Sequence, residues 1–274
     1  MPPVAIRLPY GMQAGVLTHV SDVASGLACG CLCPACGEPL VAKKGQFKQH
    51  HFAHAADGDC STAVETALHL AAKSILESRR EVVLPAVEAK FTGARRTIVL
   101  APERSYVVEK VELERSVGAI VPDVLAWISG RKVAIEVRVT HAVDERKIER
   151  LRELGLSTVE IDLSRAARDL SMASLEPLVI GGGAHKKWVY NAAAERRRNV
   201  VLASGRILPT VYRGMALHVD GCPINARVFR GRAYANVLDD CTGCDHAIEF
   251  GDNMRTVTCG GFNGARGAST RGDA

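Results

Sequence analysis

Two acidic residues lie in apolar runs that flank a short turn. Asp123 belongs to "VPDVLAW", Glu136 belongs to "KVAIEVRV", and Ser129–Arg131 form the turn between the two runs. A lone carboxylate in an apolar strand costs free energy unless it is paired. An antiparallel hairpin centred near residue 130 would place position 123 opposite roughly position 137, with Asp123 diagonally adjacent to Glu136. Two such carboxylates can share one Mg²⁺ or Mn²⁺, which activates water and stabilises charge on a phosphodiester.

Two residues of the preceding helical pattern could extend this site. Glu65 could supply a third carboxylate or hold a metal-bound water, and His69 lies one helical turn further on the same face. Glu65 is equally suited to balancing the helix dipole. Glu136 could also have a purely structural role, as the partner of Arg138 or Lys132 in an ion pair on its own strand face.

A first cluster of cysteines and histidines is typical of a zinc site. Cys33 and Cys36 form a Cys-x-x-Cys knuckle, and His51 and His54 follow after fourteen intervening residues. Two thiolates and two imidazoles suit tetrahedral zinc. Cys60 could replace one histidine as a ligand. Further candidates are Cys29, Cys31 and His50.

A second cluster contains four cysteines and no spare one. Cys241-Thr-Gly-Cys244 is another knuckle, with Cys222 before it and Cys259 after it. The spacing is typical of a four-thiolate zinc ribbon, and the alternative is a set of buried free thiols. Each zinc would be structural, stabilising a segment that has little core of its own.

Composition limits the class of protein. The chain has 274 residues, of which 47% are hydrophobic, enough for one domain with additions or for two domains. It contains no apolar run of 18 residues, and its first residues lack the pattern of a signal peptide. We therefore expect a cytoplasmic protein without a membrane-spanning helix, whose nine cysteines stay reduced.

The order of predicted elements divides the chain into four parts. "STAVETALHLAAKSILESRR" predicts a helix, several β-like runs follow, and "AVDERKIERLRELG" predicts a second helix before the strand "LSTVEIDLS". The predicted parts are an N-terminal zinc-binding module (1–60), a domain of alternating helices and strands (61–180), a basic helix with a zinc-ribbon-like module (184–262) and a disordered tail (263–274).

Positive charge is concentrated in one segment. Residues 184–232 contain ten Lys or Arg and two acids, a net charge of +8, whereas the whole chain carries +5. A polyanion such as nucleic acid is the expected partner of such a surface, although a solvated basic face is the plainer explanation. "AHKKWVYNAAAERRRN" predicts a basic helix, and its Trp188 and Tyr190 could stack on bases if they are not core residues.

Two motifs together resemble a known family. "PD" in one strand followed by Glu-x-basic in the next resembles the restriction-endonuclease-like PD-(D/E)xK nucleases. Residues 29–163 as a whole are similar to the competence protein CoiA-like family, through "CPACGEPLVAKKG" with "HHFAH", through "ETALHLAAKSIL" and through the hairpin with its following helix.

The resemblance implies a fold and an activity. The fold would be α/β with a mixed sheet, a restriction-endonuclease-like α-β-β-β-α-β core flanked by the two zinc-binding modules. The activity would be that of a metal-dependent (Mg²⁺ or Mn²⁺) nuclease acting on DNA, with Asp123 and Glu136 as metal ligands and Glu65 as an accessory acid.

One position departs from the family pattern. PD-(D/E)xK enzymes commonly have lysine where this chain has Arg138, and CoiA-like proteins often have glutamine. Arginine can stabilise transition-state charge, but it stays protonated and cannot act as a general base. Lys147 could replace the lysine, since some nucleases of this superfamily place it on the following helix. His141 is a further candidate for orienting water or phosphate. Lys147 could equally be a solvated helix charge, and His141 a strand-end cap.

Three hypotheses therefore remain. The first is a nuclease acting on nucleic acid, with DNA expected. The second is a catalytically silent nucleic-acid-binding or scaffolding protein that keeps the nuclease fold. The third is a zinc-dependent transcriptional or assembly factor. Each is compatible with homo-oligomers or with a protein partner in a larger complex.

Overall fold

The computed structural model describes residues 8–56, 60–93, 97–168 and 170–263. Its strands before the first helix are β1 (Tyr10–Gln13), β2 (Val16–His19), β3 (Cys31–Leu32), β4 (Leu40–Lys43) and β5 (His51–His54). There follow α1 (Ala63–Arg79), β6 (Glu81–Leu84), β7 (Val87–Lys90), β8 (Thr97–Ala101), β9 (Arg104–Val107), β10 (Lys110–Leu113), β11 (Val124–Ile128) and β12 (Arg131–Arg138).

The second half of the chain has a similar mixture of elements. In order they are α2 (Glu145–Glu153), β13 (Thr158–Asp162), α3 (Met172–Ile180), β14 (Lys186–Tyr190), α4 (Ala192–Ala203), β15 (Arg206–Arg213), β16 (Ala216–Asp220), β17 (Arg227–Phe229), β18 (Arg232–Asn236), β19 (Ala247–Gly251) and β20 (Thr256–Cys259). The predicted mixed α/β class is confirmed. No helix among these elements is both long and apolar enough to cross a membrane.

The chain divides into two compact units. The first contains Met1–Pro85 and Glu103–Asn191, and the second contains Ala86–Pro102 and Ala192–Ala274. These limits differ from the boundaries inferred from sequence at 60/61 and 180/184. The N-terminal segment shares one apolar core with α1, through residues such as Tyr10 and Phe52, and the β7–β8 hairpin groups with the C-terminal residues. The predicted tail lies outside the described residues from position 264 onward.

A five-stranded sheet organises the first unit, in the order β10-β11-β12-β13-β14. Strands β10, β11 and β12 are antiparallel neighbours, β12 and β13 run parallel, and β14 returns antiparallel. Helix α2 connects the two parallel strands, as such a crossover requires. The carboxyl ends of β12 and β13 therefore lie at the same edge of the sheet.

The β11–β12 turn fixes which residues face each other. Ser129 and Gly130 both have positive φ, 51° and 70°, the backbone of a two-residue type I′ turn. Ile128 consequently pairs with Arg131, and Val124 pairs with Ile135. Continuing this register by one residue places position 123 directly opposite position 136. The diagonal placement expected from sequence is thus off by one residue, because the turn is centred between residues 129 and 130.

The two faces of this sheet pack against different helices. Val124, Ile135 and Val137 belong to the apolar cluster that contains the buried face of α1. Leu125 and Ala134 pack instead with Leu151 of α2. Since side chains alternate along a strand, Glu136 shares the face of Ala134. Asp123 lies just before β11, where its carboxylate contacts His69 and Lys73 of α1.

The stretch "AHKKWVYNAAAERRRN" is not one basic helix, so that prediction is wrong. Lys186–Tyr190 form β14, which pairs with β13, and only Ala192–Ala203 form a helix. Trp188 is half-buried and donates its indole N–H to the Pro85 carbonyl at 3.0 Å, and Tyr190 is buried. Residues 186–190 form a strand because they pair with the edge of β13, and this pairing outweighs the local sequence pattern that predicted a helix.

The second unit is built on a six-stranded antiparallel sheet, ordered β17-β18-β16-β15-β20-β19. Its core contains Leu208, Val219, Ala235, Val237 and Val257, together with the cysteines of the second cluster. The β7–β8 hairpin packs within the same unit, where the Thr92 hydroxyl accepts the Phe250 N–H at 2.7 Å.

Candidate functional site

A cavity of about 250 Å³ lies at the edge where β12 and β13 end. It is lined by all six residues proposed from sequence for the catalytic site: Glu65, Asp123, Glu136, Arg138, His141 and Lys147. These residues come from α1, the β11–β12 hairpin, the loop after β12 and α2. Their sequence separation is large, so the sheet and its two flanking helices are what bring them together.

Asp123 is held by three donors. Its Oδ2 accepts the Val137 N–H at 2.8 Å and lies 3.5 Å from His69 Nδ1, and its Oδ1 lies 3.1 Å from Lys73 Nζ. Burial alone would raise the pKa of Asp123, but the His69 contact, the Val137 N–H and the Lys73 charge outweigh it. Together they hold the pKa well below its usual range, so this carboxylate is ionised at neutral pH.

Glu136 is the more deeply buried of the two acids, 7% exposed. Its Oε2 accepts a hydrogen bond from Lys147 Nζ at 2.8 Å. Its Oε1 is buried and has no hydrogen-bond partner among the described residues. Burial raises the pKa of Glu136, and the Lys147 charge only partly opposes it. A buried oxygen without a donor is costly and offers a ligand position to a cation.

Lys147 reaches this carboxylate from the first turn of α2. Asp144 caps the helix by accepting the Lys147 backbone N–H at 2.7 Å, the usual role of Asp at this position. The ammonium group of Lys147 contacts Glu136, with the Val121 carbonyl 3.5 Å away. Lys147 is therefore directed into the cavity, which excludes the solvated helix charge considered from sequence.

Arg138 contacts a different acid. Its guanidinium lies 3.2 Å from Asp162 Oδ2, and Arg138 and Asp162 are register partners in the parallel β12–β13 pair. The Arg138 Nε is buried and has no partner among the described residues. The ion pair of Glu136 considered from sequence thus forms with Lys147, and neither Arg138 nor Lys132 supplies it.

Thr140 connects Glu65 to His141. Its hydroxyl donates to Glu65 Oε1 at 2.5 Å and lies 2.8 Å from His141 Nδ1. A hydroxyl has one proton, so Thr140 can donate to only one of these two neighbours. Glu65, Thr140 and His141 thus form one hydrogen-bonded chain beside the cavity.

Three residues of the site were missed by reasoning from sequence. Lys73 is buried, and its ammonium group contacts Asp123 and Glu114. It follows Glu65 and His69 at four-residue spacing on α1. That spacing was the available signal. Glu160 pairs with Glu136 in the β12–β13 register and lies 3.0 Å from Lys187. No local pattern marked Glu160 or Thr140.

A separate group in the first unit is suited to a structural metal. Cys33, Cys36, His54 and Cys60 bring their ligand atoms within 4.8 Å of one another, and they form the one such group of three or more among the described residues. Cys36 Sγ lies 3.3 Å from His54 Nε2. The Glu38 backbone N–H lowers the pKa of Cys36 to about 7, which favours the thiolate. Three thiols and one imidazole could bind zinc.

The predicted ligand His51 is not part of this group, and Cys60 occupies its place. His51 and His54 are three residues apart on β5, and residues at that spacing project from opposite faces of a strand. His51 Nδ1 instead lies 2.9 Å from the Gln49 carbonyl. The alternative ligands Cys29 and Cys31 are buried thiols whose sulfurs contact backbone carbonyls.

The four cysteines of the second unit line one small cavity, about 30 Å³ in volume. Cys222, Cys241 and Cys259 are buried, and burial with the neighbouring thiols raises the pKa of Cys241 to about 12. Within the described residues these sulfurs do not meet the 4.8 Å spacing seen in the first cluster. Zinc binding by Cys222, Cys241, Cys244 and Cys259 stays a prediction.

The segment that contains the first group of cysteines and histidine is similar to a known protein family. Residues 28–63 match the family model of the competence protein CoiA, N-terminal domain. This match supports a CoiA-like family. The CoiA-like segment contains all four residues of the zinc-site group and ends at the first residue of α1, before Glu65 and Asp123. No curated protein and no solved structure matches the chain.

Proposed function

We propose that this protein is a metal-dependent nuclease that hydrolyses phosphodiester bonds of nucleic acid, with DNA as the expected substrate. One observation carries the proposal: Asp123 and Glu136 line one cavity, and the buried Oε1 of Glu136 has no partner among the described residues. Two carboxylates with an unsatisfied oxygen are suited to a hard divalent cation.

The donor set fits Mg²⁺ or Mn²⁺, and Asp123 and Glu136 would hold it. When bound, the cation supplies Lewis-acid stabilisation of phosphoryl charge and lowers the pKa of a bound water. Asp123 is suited to this role because its contacts keep it ionised. Glu65 lines the same cavity and would act as an accessory acid.

The remaining side chains have distinct tasks in this proposal. Lys147 compensates the charge of Glu136 and fixes the direction of its carboxylate. His141 lines the same cavity and would orient water or phosphate there. Arg138 stays protonated and can contribute only a positive charge, which its ion pair with Asp162 partly neutralises. The hydrolysis would thus depend on Lys147 more than on Arg138.

The order of elements also supports this proposal. Around the cavity the chain supplies α1, then β10, β11 and β12, then α2 and β13. This is the α-β-β-β-α-β order of the restriction-endonuclease-like core that the resemblance of the hairpin implies. In the present chain β6 to β9 are inserted between α1 and β10.

A cleavage assay with matched variants tests the proposal. The purified chain is incubated with linear, plasmid and single-stranded DNA and with RNA, in Mg²⁺, Mn²⁺ or a chelator. We expect cutting with added metal that Asp123→Ala and Glu136→Ala each abolish. Glu112→Ala, which removes a carboxylate of the same sheet outside the cavity, should cut like the wild type. Cutting that survives both cavity substitutions would refute this site.

A second candidate is a silent protein that binds nucleic acid without cutting it. Its support is that three cations of the site are already paired with acids: Lys73 with Asp123, Lys147 with Glu136, and Arg138 with Asp162. Such internal neutralisation is what a site without a metal would need. Binding without cutting in every metal of the assay would favour this candidate.

A further inference from the structure

One face of the sheet in the second unit is lined by arginines and aromatic rings. Val219 and Ala235 of β16 and β18 point into the core, so their neighbours along each strand point the other way. Those outward residues form a concave surface that encloses a volume of about 740 Å³. They include Arg213, His218, Asp220, Phe229, Arg232 and Tyr234. We call this surface the stacking face.

The aromatic side chains of the stacking face are placed to contact flat ligands. Phe229 is 64% exposed, which is unusual for a phenylalanine on a sheet. The rings of His218 and Tyr234 lie 5.6 Å apart at an angle of 49°. The Arg230 guanidinium lies 5.3 Å from the Phe229 ring centre. Exposed rings beside guanidinium groups are the elements on which nucleic-acid bases stack.

The arginines of the face differ in how far they are already neutralised. Arg213 pairs with Asp220 at 2.7 Å, and Arg227 at the edge pairs with Asp239 and Asp240. Neither Arg230 nor Arg232 forms an ion pair among the described residues, and the Arg230 guanidinium lies over the Phe229 ring. Arg230 and Arg232 therefore have guanidinium charge available for an anionic backbone.

We propose that the stacking face binds single-stranded nucleic acid. Phosphates would contact Arg230 and Arg232, and unpaired bases would stack on Phe229 and Tyr234. Single strands suit the face better than a duplex, because duplex bases are already stacked on one another and expose no flat surface. The inference deepens the proposed function by naming the form of nucleic acid. It rests on the proposed function only for the claim that the bound polymer is a nucleic acid.

Binding is measured on the full chain carrying Asp123→Ala, so that the probe stays intact. Fluorescence anisotropy follows labelled single-stranded DNA and RNA oligonucleotides, a duplex of the same sequence and polyglutamate. The test variants are Phe229→Ala and Arg232→Gln. Tyr212→Ala and Arg206→Gln are matched controls, since both residues lie on β15 at positions that alternate with Arg213 and so project from the opposite face.

We expect Phe229→Ala to weaken single-strand binding about tenfold or more, since loss of one stacked base has an effect of this order. Phe229→Trp should retain binding, which separates lost stacking from misfolding. Arg232→Gln should also reduce the salt dependence, lowering the slope of log K against log[salt] by about 0.7. The controls should bind like the parent chain, and a preference between DNA and RNA would define the polymer.

Two outcomes would overturn the inference. In the first, Phe229→Ala and Arg232→Gln lose no more affinity than Tyr212→Ala and Arg206→Gln. In the second, the duplex or polyglutamate binds as tightly as the single strands. Neither outcome depends on cleavage, so failure of the stacking face and failure of the proposed nuclease are told apart by different readouts.

Discussion

The ammonium group of Lys147 lies 2.8 Å from Oε2 of Glu136, whereas Arg138, two residues after that acid, contacts Asp162. A lysine on α2 thus reaches the carboxylate that the strand residue does not reach. Although position 138 is an arginine, the candidate site therefore still contains a lysine, which α2 supplies. The same contact compensates a buried charge that would otherwise be strongly destabilising.

Loss of Lys147 should affect cleavage much more than loss of Arg138. Lys147→Met removes the cation beside Glu136, so the pKa of Glu136 should rise further and its carboxylate should lose its fixed direction. We expect the cleavage rate to fall about 100-fold or more, measured as single-turnover cutting in Mg²⁺. Arg138→Gln should reduce the rate less than tenfold. Arg150→Met, on the exposed side of α2, is the control, and a larger effect of Arg138→Gln would contradict this assignment.

Zinc content should depend on Cys60 and not on His51. Cys60 belongs to the group whose ligand atoms lie within 4.8 Å of one another, and His51 does not. Cys60→Ser should therefore lose about one zinc per chain, because three ligands hold the ion less tightly than four. His51→Ala should keep it. Elemental analysis of both purified variants provides the measurement, and loss of zinc from His51→Ala alone would restore the ligand set inferred from sequence.

The four cysteines of the second unit should hold a second zinc. Wild-type protein purified without chelator should then contain about two zinc ions per chain, and Cys241→Ser should contain about one. Bound zinc would also relieve the unfavourable burial of these thiols, since the ion stabilises their thiolates. A wild-type content near one, unchanged in Cys241→Ser, would identify the four residues as buried free thiols.

Lys186 should make the stability of the first unit depend on alkaline pH. Burial lowers the pKa of Lys186 to about 8, with Glu103 as the charge that partly opposes this shift. Between about pH 8 and pH 10.4 the unfolded chain binds a proton that the folded chain lacks, so stability rises with pH across this window. At pH 7 the folded protein bears the full cost of the buried charge.

Lys186→Met should therefore stabilise the first unit by about 2 kcal/mol at pH 7, and this gain should shrink towards pH 10. The value allows for loss of the hydrogen bond that Lys186 donates to the Val83 carbonyl. Both tryptophans of the chain, Trp127 and Trp188, lie in the first unit, so tryptophan fluorescence during urea unfolding reports on that unit. Lys48→Met, at an exposed position, is the control. A gain that does not depend on pH would mean that packing, and not the buried charge, explains the stabilisation.

The sequence alone predicted the parts of the site that depend on local geometry. The Asp123 and Glu136 pairing follows from a short turn and from alternation along two strands, and both act over a few residues. The Cys33–Cys36 knuckle is likewise local. Even here the register was off by one residue, because the turn centre depends on the φ angles of Ser129 and Gly130.

Tertiary structure decided several choices between distant candidates. The packing of α2 brings Lys147, and not Arg138, to Glu136. The strand geometry of β5 leaves His51 outside the group that contains Cys60, and residues 186–190 form a strand because β13 offers a free edge. Residue types fix which chemistry a chain can perform. Contacts across many residues fix which of several equivalent side chains performs it, because such contacts depend on how helices and strands pack and not on the local pattern.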